Sequence, residues 1–304
     1  MSTNQKALEL FEQNEYEMAL ELFRQAVEES RNIQSLNNLA WMYSYEEEDD
    51  QKALELLKEV IEMKPASYFP YNLLGEINLR QKHWKLATDA LSEAISIQPS
   101  KEAYQNLAVA KYYLKELEEA SDYFLRVAGN SDVVMFNHIK CLIELDKKTE
   151  AKEKLDTFSE DADDFIGEVE VADLYVELGC FKEAIQWFEK GWEEYWKTPN
   201  WVSRFVYALF KTNNNLRINE VIQESILHKA EEIKSAHEEE CDDNWTESDK
   251  ETHMKELLEE KNEYENMVNR MSSGYIPLIE FDPATTGACY LFGCKRHNHP
   301  DYQE

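Results

Sequence analysis

The chain has 304 residues, of which 62 are acidic and 32 basic, for a formal charge of −30. That balance argues against nucleic acid and anionic membrane as partners, because phosphate binding rests on clustered Lys and Arg; it leaves a solvated helix exterior or a basic protein partner as readings of the charge. Only 8 glycines and 7 prolines are present, which disfavours a turn-rich β protein and predicts long helices with short connections.

The amino terminus, MSTNQKALELFEQNEYEMA, enters an amphipathic helix at once and shows no hydrophobic leader. A first helical pair spans about 3 to 31, with Ala7 and Leu10 in one helix and Ala19, Phe23 and Ala26 in the other. It lacks the large residue that precedes the small one in later pairs, which suits a capping unit. The second pair, about 33 to 65, has Leu39, Ala40 and Tyr43, then Ala53, Leu57, Val60 and Pro65, with the acidic turn EEEDD between its helices. The third, Ser67 to Pro99, is the most complete: Tyr71, Leu74 and Gly75, then Ala87, Leu91, Ala94 and Pro99. Pro65 and Pro99 stand at the same place in successive units, so one stop signal closes both and the distance between them is a repeat period.

The spacing has a direct physical reading. Tyr71, Leu74, Asn78 and Leu79 share a helical stripe, Gly75 sits where a neighbouring helix must come close, and Ala87, Leu91 and Ala94 form a second stripe. Two short helices fold back on each other, and proline ends the second because it cannot continue one. A fourth unit, about 101 to 132, carries Tyr104, Leu107, Ala108, Ala120, Phe124 and Val127. The fifth, about 133 to 160, is degenerate, with His138 and Ile139 in place of the Leu and the small residue; a short or distorted hairpin is expected there. The sixth, about 165 to 198, has Ala172, Tyr175, Ala184, Phe188 and Gly191 in frame and Gly179 in its turn, and a seventh, about Trp201 to Ser235, keeps the helical periodicity alone.

This order of large apolar, Leu, small, then Ala, large apolar, Ala and Pro resembles the tetratricopeptide repeat, a helix-turn-helix unit of about 34 residues. The resemblance covers roughly the first 200 residues and implies an all-α fold, a right-handed α-α superhelix in which neighbouring hairpins bury one another's apolar faces. It also implies that the first helix of each pair lines a concave, partner-binding wall. The residues turned inward in that frame are Gln34, Asn37, Trp41 and Tyr45; Phe69, Asn72, Glu76 and Arg80; Gln105, Val109, Tyr112 and Tyr113; and Phe136, Lys140, Asp173 and Glu177. Their Asn and Gln amides suit the backbone of an extended peptide and their aromatic rings suit its side chains; packing between repeats is the alternative for the rings. Family members that grip a chaperone tail use a Lys, Arg and Asn cluster, with an Asn just after the small residue. Leu8, Trp41 and Glu76 stand there, which argues against that subtype.

Beyond residue 216 the composition shifts. A helix over about 216 to 239 carries Ile218, Val221, Ile222, Ile226, Ala230 and Ile233 on one stripe. After an acidic break, Ser248 and Glu251 supply a capping-box signal for a helix to about Met271, whose stripe is Met254, Leu257, Leu258, Tyr264, Met267 and Val268. The two are expected to form an antiparallel hairpin capping the repeats, with docking onto a partner helix as the other reading. The domains expected are thus repeats over 1–215, capping helices over 216–271 and an irregular tail over 272–304.

The tail holds IPLIEF, which reads as extended, and gathers Cys289, Cys294, His297 and His299 as C-x4-C-x2-H-x-H. Two thiolates and two imidazoles fit tetrahedral zinc, although the short spacing departs from common zinc fingers; an ordered tail without metal is the other reading, and no other cofactor is implied. A Cys/His nucleophile pair has its residue types here but no accompanying substrate pocket or phosphate loop, so no enzyme is expected. Five scattered cysteines make no secreted disulfide framework, and no stretch approaches the roughly 18 apolar residues of a membrane span. The expectation is a cytoplasmic module that binds a protein or peptide in its groove, with an acidic antitoxin-like inhibitor of a basic protein and a zinc-dependent regulatory tail as alternatives. The oligomeric state is left open.

Overall fold

A computed structural model describes residues 1–162, 164–242, 245–279 and 281–295. Among these the chain is all-α, with fifteen helices, successive ones paired as in a helical solenoid, and no strand. It divides into two compact units, Met1–Leu145 together with the C-terminal segment from Pro283, and Asp146–Asp282.

The first unit contains α1 (Thr3–Glu12), α2 (Tyr16–Glu29), α3 (Ile33–Tyr45), α4 (Asp50–Glu62), α5 (Phe69–Arg80), α6 (Trp84–Ile97), α7 (Lys101–Tyr113), α8 (Leu117–Ala128) and α9 (Asp132–Glu144). Five of these nine helices start on a side-chain cap. Ser2, Asp49, Ser100 and Ser131 accept hydrogen bonds from backbone N–H groups of the first turns they precede, and Asn32 with Ser35 closes a capping box. The turns inside the hairpins also repeat: Asn14, Glu48, Lys82 and Lys115 all have positive φ. One left-handed residue reverses the chain at the same place in every hairpin.

Each hairpin then packs on the next, α2 on α3, α4 on α5, α6 on α7 and α8 on α9, while the first helices α3, α5 and α7 also touch in series. Gly75 shows why a small residue is required. A Cβ there would lie 2.6 Å from Leu91 Cγ of the partner helix α6. His138, which stands where the motif has Leu, is buried with its Nδ1 2.9 Å from Ser121 Oγ and 3.0 Å from the Ser121 carbonyl, so α8 supplies the polar partner its burial demands.

The second unit contains α10 (Lys148–Leu155), α11 (Glu168–Glu177), α12 (Phe181–Gly191), α13 (Pro199–Lys211), α14 (Asn215–Glu238) and α15 (Glu247–Ser272). The short α10 is the degenerate second helix of the fifth repeat. Helices α14 and α15 pack along each other and both touch α13. The capping box that starts α15 is Thr246 with Asp249, two residues before the expected Ser248 and Glu251; Thr246 supplies the side-chain acceptor in the extended conformation a cap needs. The buried face of α14 also differs from the apolar stripe, because Ser225 and Lys229 are buried while Ala230 is exposed. Lys229 is tolerated there because its ammonium lies 2.6 Å from Glu232 and 2.5 Å from Glu260 of α15.

Candidate functional site: the groove of the first unit

The first helices α1, α3, α5 and α7 present a row of amides and rings, and the chain's own C-terminal segment lies against it. Trp41 donates from Nε1 to the Ala288 carbonyl at 3.2 Å, Asn37 to the Tyr290 carbonyl at 2.6 Å, and Gln105 to the Ala284 carbonyl at 3.4 Å. Two asparagines do more. Asn106 donates to the Thr286 carbonyl at 2.7 Å and accepts from the Thr286 N–H at 2.9 Å; Asn38 donates to the Phe292 carbonyl at 3.0 Å and accepts from its N–H at 2.7 Å. Gln34 adds a longer bond to the Phe292 carbonyl, and Glu12 accepts from the Lys295 N–H at 2.8 Å. The segment therefore runs from α7 towards α1, against the order of the repeats.

Alternate carbonyls, those of residues 284, 286, 288, 290 and 292, accept from the groove. That is the period of an extended chain, whose peptide groups turn to opposite sides at successive residues. The groove side chains act as a neighbouring strand would, so this recognition is addressed to backbone. Side-chain contacts add to it. Phe292 packs on Phe69 with ring centroids 5.0 Å apart, Tyr290 lies 5.7 Å from the same ring, and Tyr290, Leu291 and Cys294 are buried in the core of the unit. Gly287 passes so close to α3 that a Cβ would lie 2.5 Å from the Tyr45 hydroxyl.

Glu76 puts an acidic group at the centre of this contact. Its buried carboxylate accepts from the Tyr290 hydroxyl at 2.5 Å and from the Tyr45 hydroxyl, with Asn106 donating at 3.4 Å. Burial pushes the carboxyl up to about 7, against the two phenols and Arg80, which favour its charged form. The same burial and the nearby carboxylate raise the Tyr45 and Tyr290 hydroxyls well above their usual range.

The sequence-derived groove residues divide accordingly. Asn37, Trp41, Glu76 and Gln105 hydrogen-bond the segment, and Phe69 and Tyr45 contact it through their rings or hydroxyl. Asn72 is 1% exposed, with neither amide atom hydrogen-bonded. Arg80 pairs instead with Asp50 at 2.6 Å, Tyr112 donates to Glu144, Tyr113 stacks on Trp84 at 4.1 Å, and Lys140 is buried in α9. Asp173, in the second unit, is held by Arg204 at 2.5 Å and ties α11 to α13. Asn38 and Asn106 are not among the inward positions of the repeat frame, although Asn4, Asn38, Asn72 and Asn106 recur at intervals of one repeat period. That interval is the signal that finds them.

Of the four proposed zinc ligands, Cys294 is buried among apolar side chains and Cys289 is half-buried beside them, while His297 and His299 lie outside the described residues. Among the described residues no three His, Cys, Asp or Glu side chains gather as a metal site would require. No described helix is long and apolar enough to cross a membrane.

The tetratricopeptide repeat family model matches residues 32–64, the α3–α4 hairpin. No curated protein matches the chain in sequence. Among solved structures, a tetratricopeptide repeat protein from Parabacteroides merdae aligns with a TM-score of 0.53 at 19% identity, covering 80% of this chain and 93% of that one. Pseudomonas aeruginosa pilF aligns with a TM-score of 0.51 at 20% identity, covering 64% of this chain and 90% of that one. At such identities the likeness is one of fold. A tetratricopeptide repeat is thus matched in sequence at residues 32–64, hairpins of the same construction stack beside it, and the fold is the one these neighbours share.

Proposed function

We propose that the protein is an interaction module whose first unit takes an extended segment of a partner protein in the groove of α1, α3, α5 and α7. The observation that carries this reading is the pair of two-way amide contacts, Asn38 on Phe292 and Asn106 on Thr286, which hold a peptide by its backbone. Groups placed in this way hold any chain that can extend along them, and the rings of Trp41, Tyr45 and Phe69 add selection by side chain. The large acidic excess acts on encounter, favouring partners with basic flanks.

The test is a displayed-peptide selection on the full-length protein and on Gly287→Val, in which a clash with Tyr45 loosens the resident segment. Peptides enriched on either protein, resynthesised, should lose at least about tenfold in affinity on the double substitution Asn38→Ala/Asn106→Ala, a loss of about 1.4 kcal/mol or more. Helicity by circular dichroism checks that the fold survives. Selection that yields the same peptides with the double variant would place binding elsewhere.

A further inference from the structure

We infer that the groove's preferred partner is a segment in the polyproline II conformation, which displaces the C-terminal segment. This rests on the peptide-groove reading above and adds the conformation of the ligand.

Two periods meet in the groove. Asn106 and Asn38 stand two repeats apart and clamp Thr286 and Phe292, six residues apart, so the bound chain advances three residues per repeat. An extended strand turns its peptide groups to the same side every second residue. A period of two and a step of three coincide only every six residues. Midway in sequence between the two clamps are Asn72 on the groove side and residue 289 on the segment, and by strand alternation the N–H and C=O of residue 289 turn to the side away from those of residues 286 and 292. This is why Asn72, which shares the repeat-spaced row with Asn38 and Asn106, has both amide atoms buried and without a hydrogen bond. Of the three rungs from Asn106 to Asn38, the resident segment fits two.

A polyproline II helix has three residues per turn and rises about 3.1 Å per residue, so it turns the same side inward about every 9 Å; its peptide groups make no internal hydrogen bonds. Helices in contact lie about 8–10 Å apart. Such a segment therefore presents a free backbone N–H and C=O to Asn106, Asn72 and Asn38 alike, provided the residue at each rung is not proline, which has no N–H. The residues between the rungs can be proline. The lining suits them: Trp41 stacks on Tyr45 at 4.8 Å with its indole N–H aimed at a carbonyl, and Phe69 follows on the next repeat. Aromatic grooves of this kind hold proline-rich segments, whose stiffness also reduces the entropy lost on binding.

The probes are a synthetic peptide of repeated Ala-Pro-Pro triplets and a synthetic copy of residues 284–294, titrated into the full-length protein and its variants by calorimetry. Hydrogen exchange of residues 286–292 reports whether the resident segment stays docked. The triplet peptide is expected to remove that protection, to bind Gly287→Val about tenfold more tightly than the unmodified protein, and to lose at least about tenfold on Asn72→Ala, which leaves the protection of residues 286–292 within about twofold. Thr286→Pro, which deletes the N–H that Asn106 accepts, serves as a second released form if Gly287→Val does not fold. If the triplet peptide fails to bind a folded variant whose segment is released, or binds equally well with and without Asn72, the inference is overturned. In that event, binding of the 284–294 copy to the released form, lost on Asn106→Ala, leaves the peptide-groove reading standing. Failure of both peptides on the released form removes the two together.

Discussion

Asn38 and Asn106 each do with one side chain what a neighbouring strand does with its backbone, and they set the residue-scale logic of the groove. Removing Asn106 leaves the Thr286 N–H and carbonyl without partners at a half-buried site. Asn106→Ala is therefore expected to weaken docking of the segment by about 1–3 kcal/mol, read as faster amide exchange at Thr286 and earlier proteolysis after Asp282. Unchanged exchange there would count against the role given to the ladder. Inward positions taken helix by helix include Asn37, Asn72 and Gln105. A helix face is wide enough for two adjacent rows, and only stepping by one full repeat separates Asn38 and Asn106 from their neighbours.

At the scale of the element, the hairpins are built on small residues and left-handed turns. In the turn before α12, Gly179 has φ +75° and open space around it, so Gly179→Ala carries a purely backbone penalty of about 1–2 kcal/mol and should lower the Tm by a few degrees. Gly75→Ala meets Leu91 instead and acts through packing; it should destabilise the α5–α6 hairpin by about 1–3 kcal/mol, with loss of exchange protection centred on that pair. In the second unit Lys229 joins α14 to α15 through Glu232 and Glu260. Lys229→Met leaves both carboxylates facing each other without their shared cation and should cost about 1–3 kcal/mol, seen as a lower urea midpoint at constant slope. The apolar stripe of α14 could not foretell that a lysine is buried there, because the partners that permit it come from another helix.

At the scale of the whole molecule, the charge of −30 and the buried Glu76 make stability depend on pH. Glu76 faces the Tyr45 and Tyr290 hydroxyls, the Arg80 guanidinium and, further off, Glu102. Its carboxyl stands near 7 in the folded protein against an ordinary 4.5, so the folded state holds more protons between those values. The stabilisation is complete below about pH 4.5 and is lost as pH rises through 7, by on the order of 3 kcal/mol. Glu76→Gln should flatten that part of the profile when Tm is measured from pH 5 to 8; an unchanged slope would show that other carboxyls carry it. The repeat frame and the pairing of its helices were determined by the sequence alone, because a recurring order of large and small residues writes helix pairing directly into the chain, and with them the face made by α1, α3, α5 and α7. What occupies that face was decided only by tertiary structure. Residues 284–294 have no helical or alternating pattern that announces a partner, and their carbonyls meet Asn37, Trp41 and Asn106 across roughly 180 to 250 residues of chain, a long-range pairing that local periodicity does not encode.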